Sequence, residues 1–273
     1  MPELPEVEAT RVHLTTWTVG RVITDLTRHD SGLDPQLDTL VGLAFTAWTR
    51  HGKALVATLS DGRRVHAHLG MTGRWARDPD PSLRARLTLT FSPASTSGSP
   101  RTIAYADTRR LGTTRVLAVD DDPFASLGPD AWRDLVPTDP AAVDRLATAL
   151  GTGAKPLKDR LLDQSRIAGL GNIAVLEAAF RAGLHPHVPV GQLTHDDLAR
   201  LVAGIHAHLE ATLDDALATD ALVYVNEGGP NPFLVYGREG EPCPRCQHPV
   251  KRALHAGRPS FTCPRCQPEG AKA

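Results

Sequence analysis

The sequence is informative first through what it does not contain. It has no apolar run of transmembrane length, and its N-terminus has neither the basic nor the hydrophobic segment of a secretory signal peptide, so we expect a cytosolic protein. No internal repeat is visible, which gives no support to a solenoid or propeller. Net charge is also nearly absent. Because the formal value is -1, any surface for a polyanion must come from segregated charges.

The charges are in fact spread unevenly along the chain. Residues 50–75 carry five Lys or Arg against one acidic residue, whereas residues 120–145 carry seven acidic residues against two basic ones. The pattern predicts a basic patch on one part of the protein and an acidic connector on another. Two solvated surface segments would give the same counts, so this pattern alone does not identify a partner.

Cysteine is absent until position 243, and all four cysteines lie in the last 31 residues. Two CPRC pairs separated by sixteen residues match the spacing of a tetrahedral four-thiolate zinc site. We therefore predict one structural Zn²⁺ ion with no open position for chemistry, held by Cys243, Cys246, Cys263 and Cys266. The turn between the pairs would carry Arg258 at its tip, either as a solvated side chain or as a phosphate ligand.

The apolar periodicity changes along the chain. Residues 54–70 predict two strands joined at Asp61-Gly62, and RLTLTFSP alternates as a half-buried strand does, so residues 1–120 are predicted to be mainly β. STSGSP predicts a loop. An acidic, proline-rich linker is predicted over 121–140, a helical domain over 141–225 with a capping pair at Thr194 and Asp197, and a cysteine module over 226–273.

The opening stretch MPELPEVEAT supports two interpretations. The plain one is a helix start with proline and acidic residues favoured by the helix dipole. The other is that Met1 is removed before the small residue Pro2, which leaves a free secondary amine beside the carboxylate of Glu3.

Two further clusters suggest contacts to a polyanion. RHGKAL and HAHLGMTGRW place basic residues around a predicted hairpin, where Met71 is either a core side chain or a wedge between bases. ADTRRLGTT adds two arginines beside Leu111. The glycine-rich turn before Asn172 would expose backbone N–H groups at a helix start, a natural phosphate seat, although it lacks the lysine pattern of a nucleotide-binding P-loop.

These segments together resemble one family. MPELPEVE, HGK, HLGMTG, DTRRLG, LLDQSRIAGLGNIAVLEA, VYGREGEPCPRC and GRPSFTCPRCQ occur in the order seen in formamidopyrimidine-DNA glycosylases and the related endonuclease VIII enzymes, and the formamidopyrimidine branch is the more similar. The resemblance implies an α+β multidomain fold with an N-terminal catalytic β-sandwich, a helical domain with a helix–two-turn–helix motif and a C-terminal zinc-ribbon finger. It implies a monomeric base-excision glycosylase with abasic lyase activity on double-stranded DNA that contains oxidised bases or abasic sites.

The resemblance also implies roles for particular residues. The amine of Pro2 would attack C1′ and form a Schiff base, Glu3 would act as acid and base, and the strand would be cut by β/δ-elimination. Lys53 and Arg258 would grip phosphates during elimination, while Glu6 and Glu177 would line the base pocket. The other implied DNA contacts are His68, Arg84, Asn172 and Lys158, with Lys155 as an alternative to Lys158, and the trio Met71, Arg109 and Leu111, which fills the space of the everted base.

The sequence departs from the family pattern in four places. It has Leu111 where phenylalanine is usual, Ile173-Ala174-Val175 where IYA is common, arginine at 84 and 86 where histidines are common, and a shorter stretch between residue 213 and the zinc finger. These departures leave base choice open. We expect 8-oxoguanine and formamidopyrimidines as substrates, with oxidised pyrimidines as the alternative. A catalytically silent damaged-DNA-binding protein and a zinc-ribbon protein for RNA or protein partners are the competing hypotheses.

Overall fold

A computed structural model describes residues 2–93, 101–218 and 231–269 of the 273-residue chain. The contacts between residues divide the chain into two compact units. One contains Met1–Ala125 and Leu213–Tyr224, and the other contains Ser126–Thr212 and Val225–Ala273. The predicted loop STSGSP and the middle of the shortened stretch before the zinc finger lie outside the described residues.

The first unit is a β-sandwich preceded by a helix, as the resemblance implied. Helix α1 spans Leu4–Thr18 and a 3₁₀ turn spans Pro35–Leu40. The eight strands are β1 Ile23–Arg28, β2 Phe45–His51, β3 Ala54–Leu59, β4 Arg64–His68, β5 Arg74–Arg77, β6 Ala85–Phe91, β7 Thr102–Ala106 and β8 Thr113–Leu117. They form two four-stranded antiparallel sheets, in the orders β1-β6-β7-β5 and β2-β3-β4-β8.

The predicted hairpin between β3 and β4 is confirmed. Gly62 in its turn has a φ of 87°, in the left-handed region that favours glycine. The antiparallel register pairs Ala54 with His68, so the residues just before β3 lie at the same end of the hairpin as the last residue of β4. This register brings the HGK and HLGMTG motifs to one place.

One apolar core holds α1 against the sheets. Trp17 from α1, Trp48 from β2 and Trp75 from β5 are buried in it, and each such side chain stabilises the fold by about 1.5–3 kcal/mol or more. The indole N–H of Trp48 donates to the hydroxyl of Thr18 at 2.9 Å, which satisfies a polar group inside the core. The position of α1, and of the residues that precede it, is therefore fixed by packing.

The second unit is helical and ends in a hairpin. Its helices are α2 Ala142–Leu150, α3 Leu157–Leu162, α4 Asn172–Ala182 and the part of α5 up to Thr212, and α5 as a whole spans His195–Ala218. The unit also has a 3₁₀ turn at Val190–Gln192 and the strands β9 Lys251–His255 and β10 Arg258–Thr262. The predicted capping pair is confirmed, because the Thr194 hydroxyl accepts the Asp197 N–H at 3.2 Å and the Asp197 carboxylate accepts the Thr194 N–H at 2.9 Å.

The segment predicted as a linker is packed in part. Ala131 and Leu135 are buried, and the Ala131 N–H donates to the carbonyl of Ala168 at 3.0 Å within the second unit. The predicted boundaries at 120, 140 and 225 stay predictions. Across the described ranges of the chain, no helix combines the length and apolar character needed to cross a membrane.

Candidate functional site

The N-terminus of α1 places the two residues predicted to carry the chemistry. The helix begins at Leu4 with Glu3 as its N-cap, so Pro2 precedes the helix while Pro5 occupies its first turn. Pro2 is buried and Glu3 is 4% exposed. The backbone N–H of Glu3 donates to Oε2 of Glu6 at 2.9 Å, and this bond fixes the backbone next to Pro2.

Glu6 is a carboxyl group with a shifted proton affinity. Burial raises its pKa, and the neighbouring charge of Glu3 raises it further. A carboxyl group with a raised pKa beside an amine is suited to proton transfer. The structure brings Pro2, Glu3 and Glu6 together at one helix end.

Glu8, the third acidic residue of the opening stretch, connects α1 to the hairpin that carries Lys53. Its carboxylate accepts from Arg50 Nε at 2.8 Å and from Arg11 Nη2 at 2.6 Å. Burial raises the pKa of Glu8, but the bonds from Arg11 and Arg50 outweigh this and leave the pKa lowered. Arg50 also donates to the carbonyl of Gly52 at 2.9 Å, directly before Lys53. Arg50 was not predicted as a site residue, and its only sequence signal is its place in RHGK.

Lys53 and His68 lie close enough to influence each other. Burial lowers the pKa of His68, and the charge of Lys53 lowers it further. Nδ1 of His68 accepts the N–H of Gly70 at 3.1 Å, so the proton of the neutral ring is on Nε2. This tautomer makes Nε2 a hydrogen-bond donor, as a phosphate contact requires.

The predicted trio comes from two loops whose backbones touch. A Cβ on Gly70 would lie 2.5 Å from the backbone nitrogen of Gly112, so these loops approach as closely as they do because glycine lies at the contact. Met71 is 37% exposed and Leu111 is 50% exposed, which excludes the core interpretation of Met71. Arg109 is exposed beside them.

Asp107 organises both loops and was not identified from the sequence. Its carboxylate accepts the N–H groups of Gly112 at 2.7 Å and Arg109 at 3.2 Å, and it also accepts the hydroxyl of Thr72. Buried Arg86 bonds to this carboxylate at 3.3 Å. Arg86 is therefore a structural cation. Arg84 is exposed just before β6, and its DNA contact stays a prediction.

In the second unit, Lys158 and Asn172 meet at one carbonyl. Lys158 Nζ donates to the carbonyl of Pro259 at 2.9 Å, and Asn172 Nδ2 donates to the same oxygen at 3.1 Å. Pro259 follows Arg258, which is exposed as the first residue of β10. Lys158 is 1% exposed, whereas Lys155 is exposed. Both lysines and Arg258 line a cavity of about 420 Å³.

Glu177 is buried on α4, and its carboxylate already accepts three hydrogen bonds from the backbone. It accepts the backbone N–H groups of Leu234, Val235 and Tyr236, each at 2.9 Å. These bonds tie α4 to the chain that leads into the cysteine module. The predicted place of Glu177 in a base pocket stays a prediction.

The four cysteines form a site that fits zinc. Their sulfur atoms all lie within 4.8 Å of one another, and a tetrahedral zinc with Zn–S bonds of about 2.3 Å would place them about 3.8 Å apart. Cys243 and Cys263 are buried in a small core with Leu176 and Phe180 of α4. The donor set and its geometry identify one structural zinc site, as predicted.

Three family models match the chain in order. They describe the formamidopyrimidine-DNA glycosylase N-terminal domain over residues 1–114, the formamidopyrimidine-DNA glycosylase H2TH domain over 127–223 and a zinc finger found in FPG and IleRS over 240–268.

Curated relatives and solved structures agree with these matches. A formamidopyrimidine-DNA glycosylase of Thermus thermophilus is 35% identical, covering 99% of this chain and 100% of the relative, and one of Acidothermus cellulolyticus is 36% identical, covering 98% of each. The crystal structure of the Thermus thermophilus MutM (Fpg) protein matches with a TM-score of 0.80 at 34% identity, covering 99% of this chain and 100% of that one. A Lactococcus lactis enzyme bound to DNA with an abasic site matches with a TM-score of 0.80 at 28% identity, covering 98% and 100%.

Proposed function

Because the chain belongs to the formamidopyrimidine-DNA glycosylase family and is a base-excision repair glycosylase with abasic lyase activity, we propose that the amine of Pro2 is its nucleophile. The observation that supports this is the start of α1, where Pro2 and Glu3 are both buried and the Glu3 backbone is held by Glu6. Glu3 and Glu6 form a reciprocal capping box at this helix start, which fixes the backbone that carries Pro2.

The amine at this position is suited to attack. An α-amino group titrates near pH 8, so a useful fraction is neutral at physiological pH, whereas a free lysine titrates near 10.4. The positive end of the α1 dipole further disfavours an ammonium ion there. Removal of Met1 is part of the proposal.

The proposed reaction begins with a displacement at C1′. The Pro2 nitrogen bonds to C1′ as the glycosidic bond breaks, and the departing base takes a proton. The Pro2 nitrogen loses its own proton and then expels O4′ from C1′, O4′ takes a proton, and the opened sugar is left as a cationic Schiff base. This cation withdraws electrons, so loss of a C2′ proton expels the 3′ phosphate and cuts the strand. We assign the proton transfers at the deoxyribose to Glu3, with Glu6 as the neighbouring carboxyl group that shares its charge.

The remaining site residues bind and distort DNA. We propose that Lys53, His68, Asn172 and Arg258 contact phosphates and that Met71, Arg109 and Leu111 fill the space of the everted base. Flipping a base costs a few kcal/mol, and an inserted apolar side chain offsets part of that cost. The exposure of Met71 and Leu111 supports this role.

The proposed substrates are 8-oxoguanine and formamidopyrimidines in duplex DNA, and the proposed location is the bacterial cytosol beside the nucleoid. Solved relatives include MutM with DNA that contains carbocyclic 8-oxoguanine and a Lactococcus lactis enzyme with DNA that contains an oxidised pyrimidine. A side-by-side cleavage assay on duplexes with 8-oxoguanine opposite cytosine and with thymine glycol tests the preference. Cleavage of the thymine glycol duplex alone would show that the enzyme prefers pyrimidines.

Borohydride trapping tests the nucleophile. The purified chain should become covalently attached to lesion DNA, and mass spectrometry should locate the adduct on Pro2 of a chain without Met1. A variant with one alanine inserted before Pro2 should form no adduct while still binding the duplex. An adduct on a lysine, or an active inserted variant, would refute the proposal.

A further inference from the structure

Five polar side chains of the second unit form a closed ring of contacts that the proposed function does not use. They come from α3, from the segment after α4 and from both strands of the hairpin formed by β9 and β10, and they are Lys158, Asp159, His187, His255 and Ser260. The side chains of residues 158 and 260 are 102 positions apart in sequence, so the fold alone brings them together.

The contacts around this ring are short. Lys158 Nζ lies 2.8 Å from Ser260 Oγ, and Ser260 Oγ lies 3.2 Å from His187 Nε2. The His187 ring packs on the His255 ring with centroids 4.3 Å apart, and His255 Nε2 lies 2.9 Å from a carboxylate oxygen of Asp159. Asp159 follows Lys158 on α3, which closes the ring.

The chemistry of the groups fixes the direction of the hydrogen bonds. An ammonium group can only donate, so Ser260 Oγ accepts from Lys158. The single hydroxyl proton of Ser260 can then be donated to Nε2 of His187, in the neutral tautomer that carries its ring proton on Nδ1, and the inference rests on this arrangement. His187 therefore orients the hydroxyl so that its lone pairs face Lys158.

The environment of His187 keeps the ring neutral, as this arrangement requires. Burial, together with the neighbouring His255, His185 and Lys158 and against the opposing effect of Asp159, lowers the pKa of His187 to about 4. At ordinary pH the Nε2 lone pair is therefore available to the Ser260 hydroxyl.

The other bonds of Lys158 and its neighbours lead to Arg258. Lys158 also donates to the carbonyl of Pro259, as Asn172 does. Pro259 and Ser260 directly follow Arg258, so these bonds hold the backbone from which its guanidinium extends. Burial and the nearby charge of Arg258, against the opposing effect of Asp159, lower the pKa of Lys158 to about 8.

We propose that His187, acting through the hydroxyl of Ser260 and the ammonium of Lys158, positions the turn that presents Arg258 to a DNA phosphate. The inference rests on the proposed phosphate contact of Arg258. It makes His187, Ser260 and Lys158 positioning residues. Because Lys158 is buried in this role, the exposed Lys155 is the lysine of this region that can contact DNA directly.

A double-mutant cycle tests the inference. The measurement is the affinity of the zinc-loaded full chain for a duplex that contains a tetrahydrofuran abasic-site analogue, which cannot form a Schiff base. We expect His187→Ala and Ser260→Ala each to weaken binding about tenfold in the wild-type background and less than about twofold in an Arg258→Ala background. Equal weakening in both backgrounds, or none in the wild type, would refute the positioning role.

Conservative variants separate positioning from general damage to the fold. Ser260→Thr keeps the hydroxyl, and His187→Gln keeps an acceptor near the place of Nε2, so both should bind within about threefold of the wild type. Failure of both to restore binding would contradict the inference. Ser260→Ala removes only one oxygen atom. It therefore tests the ring of contacts even if His187→Ala also disturbs the packing around it. Ser165→Ala, at an exposed serine of the same unit, is the matched control and should bind as the wild type does.

The outcome is separable from that of the proposed chemistry. If borohydride traps the wild type but Ser260 and Arg258 show no coupling, the positioning inference alone fails. If the coupling is present but no adduct forms, the proposed nucleophile alone fails.

Discussion

At the scale of single residues, Glu6 combines two roles that substitution can separate. Glu6→Gln keeps a carbonyl oxygen for the N–H of Glu3 but removes the titrating proton, whereas Glu6→Ala removes both. We expect Glu6→Ala to lower the free energy of unfolding by about 1 kcal/mol and Glu6→Gln by less than about half of that. Both should slow base excision, by about 10²-fold if Glu6 shares the proton transfer.

Urea denaturation and single-turnover excision of 8-oxoguanine measure these two effects. The ionisable form of Glu6 matters because its pKa is raised by burial and by Glu3. A Glu6→Gln enzyme with the wild-type excision rate would show that Glu6 serves only to fix the helix start.

His208 provides a pH-dependent contribution to stability. Burial and the charge of Arg181 together lower its pKa to about 3, whereas an unfolded histidine titrates near 6.5. Between these values the unfolded chain binds a proton that the folded chain does not. The contribution of neutral His208 is therefore complete above about pH 6.5 and is lost as the pH falls towards 3.

We expect the free energy of unfolding to fall less steeply between about pH 6.5 and 4 in His208→Phe than in the wild type. Denaturant titrations at several pH values measure this slope. His206→Gln is the matched control, because His206 lies on the same helix, partly exposed and stacked on Trp132, and should keep the wild-type slope. Parallel curves for His208→Phe and the wild type would contradict the prediction.

At the scale of elements, the contact between α1 and the β2–β3 hairpin depends on Glu8. Its partner Arg50 has a side chain only 5% exposed, while its other partner Arg11 is 28% exposed. Removing one member of a buried ion pair leaves an uncompensated charge, so Glu8→Ala should cost about 3 kcal/mol. Arg11→Ala should cost about 1 kcal/mol or less, because Arg11 is closer to solvent than Arg50 and Glu8 would keep its bond to Arg50.

Glu8→Ala should also reduce the activity that depends on Lys53, since Arg50 would no longer be held against the carbonyl of Gly52. Urea denaturation and strand cleavage of an abasic duplex check the two effects. Equal destabilisation by Glu8→Ala and Arg11→Ala would mean that the pair with Arg50 is no stronger than a surface pair.

The hairpin of β9 and β10 depends in a similar way on the zinc site. Cys243 and Cys263 are part of the small core that includes Phe261 of β10, so metal loss should unfold the hairpin and release Arg258. Chelation should lower the unfolding temperature and weaken binding to an abasic-site analogue. Three of the four tryptophans, Trp17, Trp48 and Trp75, lie in the core of the first unit, and their fluorescence should change little. A large change in that signal would show that zinc stabilises both units.

The elements that were predicted correctly are those whose sequence signals lie within a short stretch of the chain. The alternation in β6, the Asp61-Gly62 turn and the Thr194 cap each depend on residues within about one helical turn of each other. The unpredicted contacts are non-local. Arg50 reaches Glu8 across 42 positions, Arg86 reaches Asp107 across 21, and Lys158 reaches Ser260 across 102. A single sequence records both partners of such a contact but not their pairing.

The same distinction applies to the site. Motif resemblance predicted roles for Pro2, Glu3 and Met71, and the spacing of the cysteines predicted the metal site, in each case from neighbours in sequence. It did not identify Asp107, whose role follows from the backbone N–H groups that it gathers from the loop after it.

At the scale of the whole molecule, a net charge of -1 means that DNA binding depends on a few individual cationic side chains and not on the overall charge. Each cation that displaces a counterion from a phosphate contributes about 0.9 to the slope of log affinity against log salt concentration. We therefore expect Arg258→Ala to lower this slope by about 0.9 and to weaken binding at low salt. Arg28→Ala is the matched control. It removes the arginine at the end of β1, which is paired with Asp38, and should leave the slope unchanged.

The apolar wedge should behave in the opposite way. Met71→Ala removes no charge, so the salt slope should stay at the wild-type value while affinity for a lesion duplex falls by about 1–2 kcal/mol at every salt concentration. Because Met71 would fill the space left by the everted base, this loss should depend on the base opposite the lesion, and the loss in Arg258→Ala should not. Fluorescence anisotropy titrations over a series of salt concentrations and opposite bases measure both quantities. A changed slope in Met71→Ala, or a loss in Arg258→Ala that varies with the opposite base, would show that phosphate gripping and base replacement are not divided between these residues.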